Sequence, residues 1–295
     1  MQIEPSIDAT IQEWNELNLR CLSLDSPRTI MDEVYTSLKQ NETSCQPYRC
    51  LESHSISSEM RSKMVDWMIE VLSQFGSTGH TFFLAVSIMD RFFGQTSVSL
   101  PPSQLHVVGV TCIFIASKFE DVHPLKLKVV WEKVGHRRLS EKEIRRTENF
   151  VVSTIDYSIG VPLLSEVLGY LVEKLDVPIS IKRSSELILV LSQVYYNNSY
   201  TPSQGAASAV VLACKSLKQF DLVPMVYRCT GYSEPELEGL VSRLYDQVVN
   251  YESRFKNFKS AMKFMGFRLG GVYGELFTFT NSEMQQDQER LLAGI

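Results

Sequence analysis

The chain has no apolar run long enough to cross a bilayer, because every hydrophobic stretch is interrupted well short of the roughly 20 residues a spanning helix needs. Its opening, MQIEPSIDATIQEW, lacks the charged start and apolar run of a secretory signal. Basic clusters are missing as well: 29 Lys and Arg against 34 Asp and Glu leave a net charge of −5 and a pI near 5.7. That balance disfavours general nucleic-acid binding and any strong attraction to anionic membranes. Cysteine is sparse. None of the six, Cys21, Cys45, Cys50, Cys112, Cys214 and Cys229, forms a CxxC pair, and Cys112 and Cys214 stand in apolar helical runs where a free thiol behaves as a small hydrophobe. A reducing compartment, nuclear or cytoplasmic, is expected.

Catalytic signatures are missing too. There is no HExxH, no nucleophile elbow and no set of kinase motifs. His54, His80, His106, His123 and His136 lie far apart without metal-ligand spacing. Gly270, Gly271 and Gly274 lack the spacing and the preceding strand of a phosphate loop. The Glu120-Asp121 pair has no histidine or lysine set beside it for acid–base work. A protein that binds other proteins, without cofactor or metal, is the expectation.

What the chain does have is a 44% hydrophobic composition arranged at spacings of three and four, with no series of alternating strand patterns. The class is all-α, and the length suits two domains or one unit built twice. Helices are expected over 29–40, 57–75, 81–93, 101–119, 127–134 and 140–155, the last opened by a Ser140/Glu143 capping box. Gly76 and Gly79 are expected to make the turn after the second. Beyond Pro162 come helices near 163–175, 181–196, 202–217, 222–229 and 234–251. CIFIASKF, ending at Lys118 and Phe119, is echoed by VVLACKSL around Lys215, each closing a Pro-started helix. This suggests a duplicated unit whose third helix, apolar all round, is the buried centre. From Gly266 the periodicity fades into a tail.

Four charged residues fall on stripes that should be buried. At about 100° per residue, Arg61 shares an arc with Val65, Met68 and Leu72, and Asp90 lies among Phe83, Val86 and Phe93. Lys118 shares a face with Phe114 and Ile115, and Glu148 one with Ile144, Val151 and Ile155. A lone buried charge is too costly to keep, so each should have an opposite partner from another helix. From spacing alone, the Lys118 and Glu148 pair is either an internal salt bridge or an exposed grip on a partner. Met60, Met64 and Trp67 widen the apolar arc of their helix by about 90°. That shoulder is either deep burial or a surface groove.

The blocks MRSKMVDWMIEV, LAVSIMDRFF, LHVVGVTCIFIASKFED and RRTENFVVSTIDYSI resemble, in order and spacing, the cyclin box, most closely that of A- and B-type mitotic cyclins. DEVYTSLKQNE resembles the extra helix that precedes the box. The resemblance covers about residues 30–160 strongly and 161–260 more weakly. It implies two tandem five-helix cyclin-box repeats preceded by a short N-terminal helix: a tail over 1–28, the first box over 29–160, a second repeat over 161–260 and a tail over 261–295.

It further implies a non-catalytic activator of a cyclin-dependent protein kinase. Arg61 and Asp90 would form a structural ion pair. Lys118 and Glu148 would face the kinase, with Phe119, Glu120, Asp121, Val122 and Val34 alongside. Met60, Met64 and Trp67 would form a groove for Arg-x-Leu substrates or inhibitors, with Glu70 taking the arginine. Two residues depart from that pattern: Lys63 replaces an apolar groove residue, and His106 stands where glutamine is usual. No RxxL or KEN motif occurs, so timed destruction is not implied. The alternatives are a cyclin-fold scaffold and a transcription-factor-like use of the same repeats.

Overall fold

Proline and hydroxyl residues mark most of the helix starts. The structure, a computed structural model, describes residues 27–42, 49–196 and 200–256, with 258 and 260. Helix α1 (Pro27–Asn41) comes first. Ser57 then accepts a bond from the Met60 N–H to open α2 (Ser58–Gln74), and Thr78 does the same for α3 (Gly79–Gln95) through Thr81 N–H. Pro101 and Pro102 lead into α4 (Pro102–Glu120). The Ser140/Glu143 capping box opens α6 (Glu141–Thr154) as expected. Each such cap contributes about 1 kcal/mol.

Between them, the expected 127–134 helix divides. A short α5 (Leu127–Val129) winds directly into a π-helix (Val130–Val134), closed by Gly135 N–H to Val130 C=O at 2.7 Å. The second repeat consists of α7 (Leu164–Leu175), α8 (Ile179–Val194), α9 (Pro202–Ser216), α10 (Val223–Thr230) and α11 (Glu234–Val249). A 3-10 turn, Phe220–Leu222, precedes α10, and α12 (Tyr251–Arg254) follows α11. Among the described residues there is no strand. Most of the 1–28 tail and the whole 261–295 tail, with its glycine group, lie outside them.

The third helix of each repeat is the centre, as its all-round apolar pattern predicts. Helix α4 is packed by α2, α3, α6 and the π-helix, and α9 by α7, α8, α10 and α11. Gly109 lets α2 approach α4, since a Cβ there would overlap Met64 Sδ. One expectation about glycine is corrected. Gly76, at φ +70°, makes the turn after α2, whereas Gly79 is already the first residue of α3. Cys112 and Cys214 are fully buried free thiols, and burial pushes Cys214 up to about 12 and Cys112 higher still.

Candidate functional site

Arg61 is the one fully buried member of the charge quartet, and it has two sets of partners. Its Nε and Nη2 donate to the two carboxylate oxygens of Asp90 at 2.9 and 2.5 Å, a bidentate pair between α2 and α3. Its Nη1 crosses to the second repeat and donates to the carbonyls of Gln193 (2.6 Å) and Tyr195 (3.4 Å). Those carbonyls belong to the unsatisfied C-terminal turn of α8, where a cation is favoured. Ser62 Oγ adds a bond to Val194 C=O at 2.6 Å. The expected structural pair is therefore also a clamp between repeats.

Lys118 departs from the expectation of burial. Its side chain is 42% exposed while that of Glu148 is 18% exposed. Lys118 Nζ hydrogen-bonds Glu148 Oε1 and lies 4.3 Å from the Phe114 ring centre. Partial burial, then the nearby Arg145, lowers the pKa of the ammonium. Next along the chain, Phe119 is 55% and Val122 90% exposed. Glu120 and Phe119 help line a cleft of about 340 Å³ with Ser37, Leu38 and Asn41 of α1. Val34, itself exposed, sits one turn before these on the same helix. Lys118 and Glu148 thus meet at the end of α4, where Phe119 and Glu120 line the cleft facing α1, the helix that carries exposed Val34, and exposed Val122 follows in the chain.

The Asp121 side chain is committed inward instead. Its carboxylate accepts from Ser77 Oγ (2.9 Å), Thr81 Oγ1 (2.6 Å) and Ser117 Oγ (2.7 Å), fixing the end of α4 to the start of α3. It positions the rim and takes no outward contact through its side chain. Spacing could suggest only the Ser117 contact, four residues back on the same helix, because Ser77 and Thr81 come from a turn and a neighbouring helix.

On another face of the first repeat, Met60 is exposed, Met64 and Trp67 are half-buried, and Glu70 and Lys63 are fully on the surface. Trp67 packs against the His106 ring, centroids 5.5 Å apart. Burial, with Arg138 and His136 nearby, lowers the His106 pKa. These residues form a shallow apolar strip with a cation and an acid on its edge, so the shoulder of α2 is a surface feature and not a deep core. Spacing missed one neighbour here. Asp66, buried on the flank of the strip, accepts the backbone N–H of Ser260 at 3.4 Å.

The arrangement of two helical repeats around α4 and α9 matches known proteins. The family model described as cyclin, N-terminal domain, matches residues 33–160, and that for cyclin, C-terminal domain, matches 173–265. The chain belongs to the cyclin family. Similar cyclins include the G2/mitotic-specific cyclin-B1 of Carassius auratus, 29% identical over 74% of this chain and 54% of the relative. The cyclin-B1 of Xenopus laevis is 28% identical over 68% and 50%, and the cyclin-B of Hydra vulgaris 26% identical over 90% and 76%. The chain spans about half the length of the first two. In fold, it resembles the X-ray structure of a viral cyclin from herpesvirus saimiri, with a TM-score of 0.64 at 17% identity over 72% of this chain and 96% of that one. The A/B-type resemblance of the sequence blocks and the two-box architecture are thus in agreement. Among the described residues of this cyclin no cluster of side chains could hold a metal ion, and no helix is long and apolar enough to cross a membrane.

Proposed function

We propose that the chain is the regulatory, non-catalytic subunit of a cyclin-dependent serine/threonine protein kinase, which it binds and activates in the control of cell-cycle progression, in the nucleus, the cytoplasm or both. One observation carries this reading: the Lys118–Glu148 pair stands at an exposed rim beside uncovered Phe119 and Val122. An exposed ion pair contributes little to stability, about 0–1 kcal/mol. Lys118 keeps ammonium N–H groups and Glu148 a carboxylate oxygen for a partner's backbone, and the two apolar side chains supply surface to bury. The similarity to mitotic cyclins supports a kinase as that partner.

Docking at this rim would seat the regulatory helix of the kinase so that its glutamate reaches the ATP-site lysine. Turning a population from about 1:99 to 99:1 needs roughly 5.5 kcal/mol of preference for the active form. An interface above about 2,000 Å² would provide it. The Met60–Met64–Trp67 strip would recruit Arg-x-Leu substrates or inhibitors, Glu70 pairing the arginine.

Lys118→Ala or Glu148→Ala should abolish kinase activation, read as histone phosphorylation by candidate cyclin-dependent kinases, while leaving the far-UV circular dichroism unchanged. Full activation by either variant overturns the assignment. Binding without activation by the wild-type chain would make it a scaffold instead.

A further inference from the structure

The acidic balance of the whole chain hides one local exception. Residues 126–146 hold eight Lys and Arg against three Asp and Glu, an excess of positive charge that corrects the expectation of no basic cluster. All eight are exposed.

The turn that closes the π-helix carries part of this charge to the α2 strip. Arg137 N–H and Arg138 N–H donate to the carbonyls of Trp131 and Gly135, both at 2.9 Å. His136 and Arg137 are left-handed, at φ +48° and +58°, a conformation that bulky residues rarely adopt. Arg137 is occupied locally, since its guanidinium lies 5.7 Å from the Trp131 ring centre and 3.2 Å from a Glu132 carboxylate oxygen. Arg138 instead acts on His106, whose ring packs on Trp67.

On α2 itself, Lys63 stands four residues before Trp67 and is its surface neighbour. Lys63 and Arg138 are both exposed, and among the described residues neither has an ion-pair partner. Asp66, three residues after Lys63, is buried and accepts from Ser260 N–H. The apolar strip of Met60, Met64 and Trp67 is therefore bordered by two cations free to take an anionic group, in addition to the carboxylate of Glu70. From Glu70 back to Lys63 is about 10 Å of helix, which an extended peptide covers in about three residues. A ligand whose arginine meets Glu70 thus brings a residue three or four positions later beside Lys63.

We propose that the α2 strip selects partner segments in which an Arg-x-Leu anchor is followed by aspartate or glutamate, Lys63 and Arg138 receiving the carboxylates. Segments that continue with basic residues are repelled. This rests on the reading of the strip as an Arg-x-Leu groove, and it gives Lys63, which departs from the usual apolar groove residue, a role in choosing the partner.

The test titrates the full chain with two fluorescent decapeptides by anisotropy. Both contain Arg-x-Leu-Phe; one continues with Asp-Glu-Asp-Glu and the other with Gly-Ser-Gly-Ser. At low salt the acidic peptide should bind the wild-type chain about fivefold or more tightly, and in about 1 M salt, where charges are screened within about 3 Å, the gap should close. The double variant Lys63→Gln with Arg138→Gln, both at exposed positions, should bind the two peptides alike. Equal affinity of the wild-type chain for both peptides overturns the inference while the groove stands. So does a preference for the acidic peptide that survives unchanged in the double variant. Failure of the wild-type chain to bind either peptide removes the groove and the inference with it.

Discussion

His106 and Asp121 both show how one side chain's surroundings decide its role. Asp121 gathers three hydroxyl donors and so fixes the turn that presents Phe119 and Val122. His106 lies half-buried against Trp67, and burial, with Arg138 and His136 adding, lowers its pKa from the usual value of about 6.5. The unfolded chain therefore binds this proton at a higher pH than the folded chain does. Its contribution to stability is complete above the ordinary histidine pKa and declines as pH falls through that value towards the folded one. Wild-type urea midpoints should drop between about pH 7 and pH 5, and His106→Gln should flatten that drop. An unchanged slope in the variant would mean that the ring titrates as freely folded as unfolded.

Helix α1 belongs in space to a part of the molecule its sequence position does not suggest. It precedes the first repeat, yet its polar contacts are with the second. Tyr35 stacks on Tyr170 with ring centroids 4.5 Å apart and donates to Thr230 C=O at 3.2 Å. Lys39 donates to the same carbonyl at 2.8 Å. Asp32 accepts from Tyr170 and Lys174. Just past the helix, buried Glu42 accepts Ser203 N–H at 2.8 Å and Ser203 Oγ at 2.6 Å at the start of α9. Glu42→Ala strands those donors, so it should cost about 1.5–3 kcal/mol and raise amide exchange across 31–41. By displacing Val34 it should also weaken kinase activation. Unaltered exchange in α1 would show that the ring stack, with the Thr230 and Asp32 bonds, holds the helix without Glu42. The helices themselves were legible in the sequence because apolar spacing, proline starts and the Ser140/Glu143 box act within a few residues. So was the pairing of Lys118 with Glu148, through its opposite charges on neighbouring stripes, though not the exposure of Lys118, which spacing placed on a buried stripe. The seat of α1 was not. Its partners lie well over a hundred residues away, and two of them, the Thr230 carbonyl and the Ser203 N–H, are backbone groups, which carry no sequence identity.

For the whole molecule, Arg61 connects two levels of organisation: its pair with Asp90 joins α2 to α3 inside the first repeat, and its remaining donors, with Ser62, hold the C-terminal turn of α8 in the second. Arg91, also buried, donates to the carbonyls of Ser158 and Ile159 in the segment between the repeats. Helix α2 packs on α8, and α3 on α7. The repeats should consequently unfold together. With Trp14→Phe as the background, Trp67 and Trp131 both report on the first repeat whereas circular dichroism averages over all helices, and coupled repeats should make the two urea curves coincide. Arg61→Ala leaves Asp90 and the α8 carbonyls without their cation, and should lower stability by about 3–5 kcal/mol and separate the curves. The double variant Arg61→Met with Asp90→Leu tests which link matters, since replacing both charges by apolar groups of similar size is often neutral within a core. It should recover much of the lost stability in the fluorescence transition yet leave the curves apart, because no methionine can bond the α8 carbonyls. Coincident curves in the double variant would place the coupling in apolar packing of α2 on α8 and reduce Arg61 to a partner for Asp90.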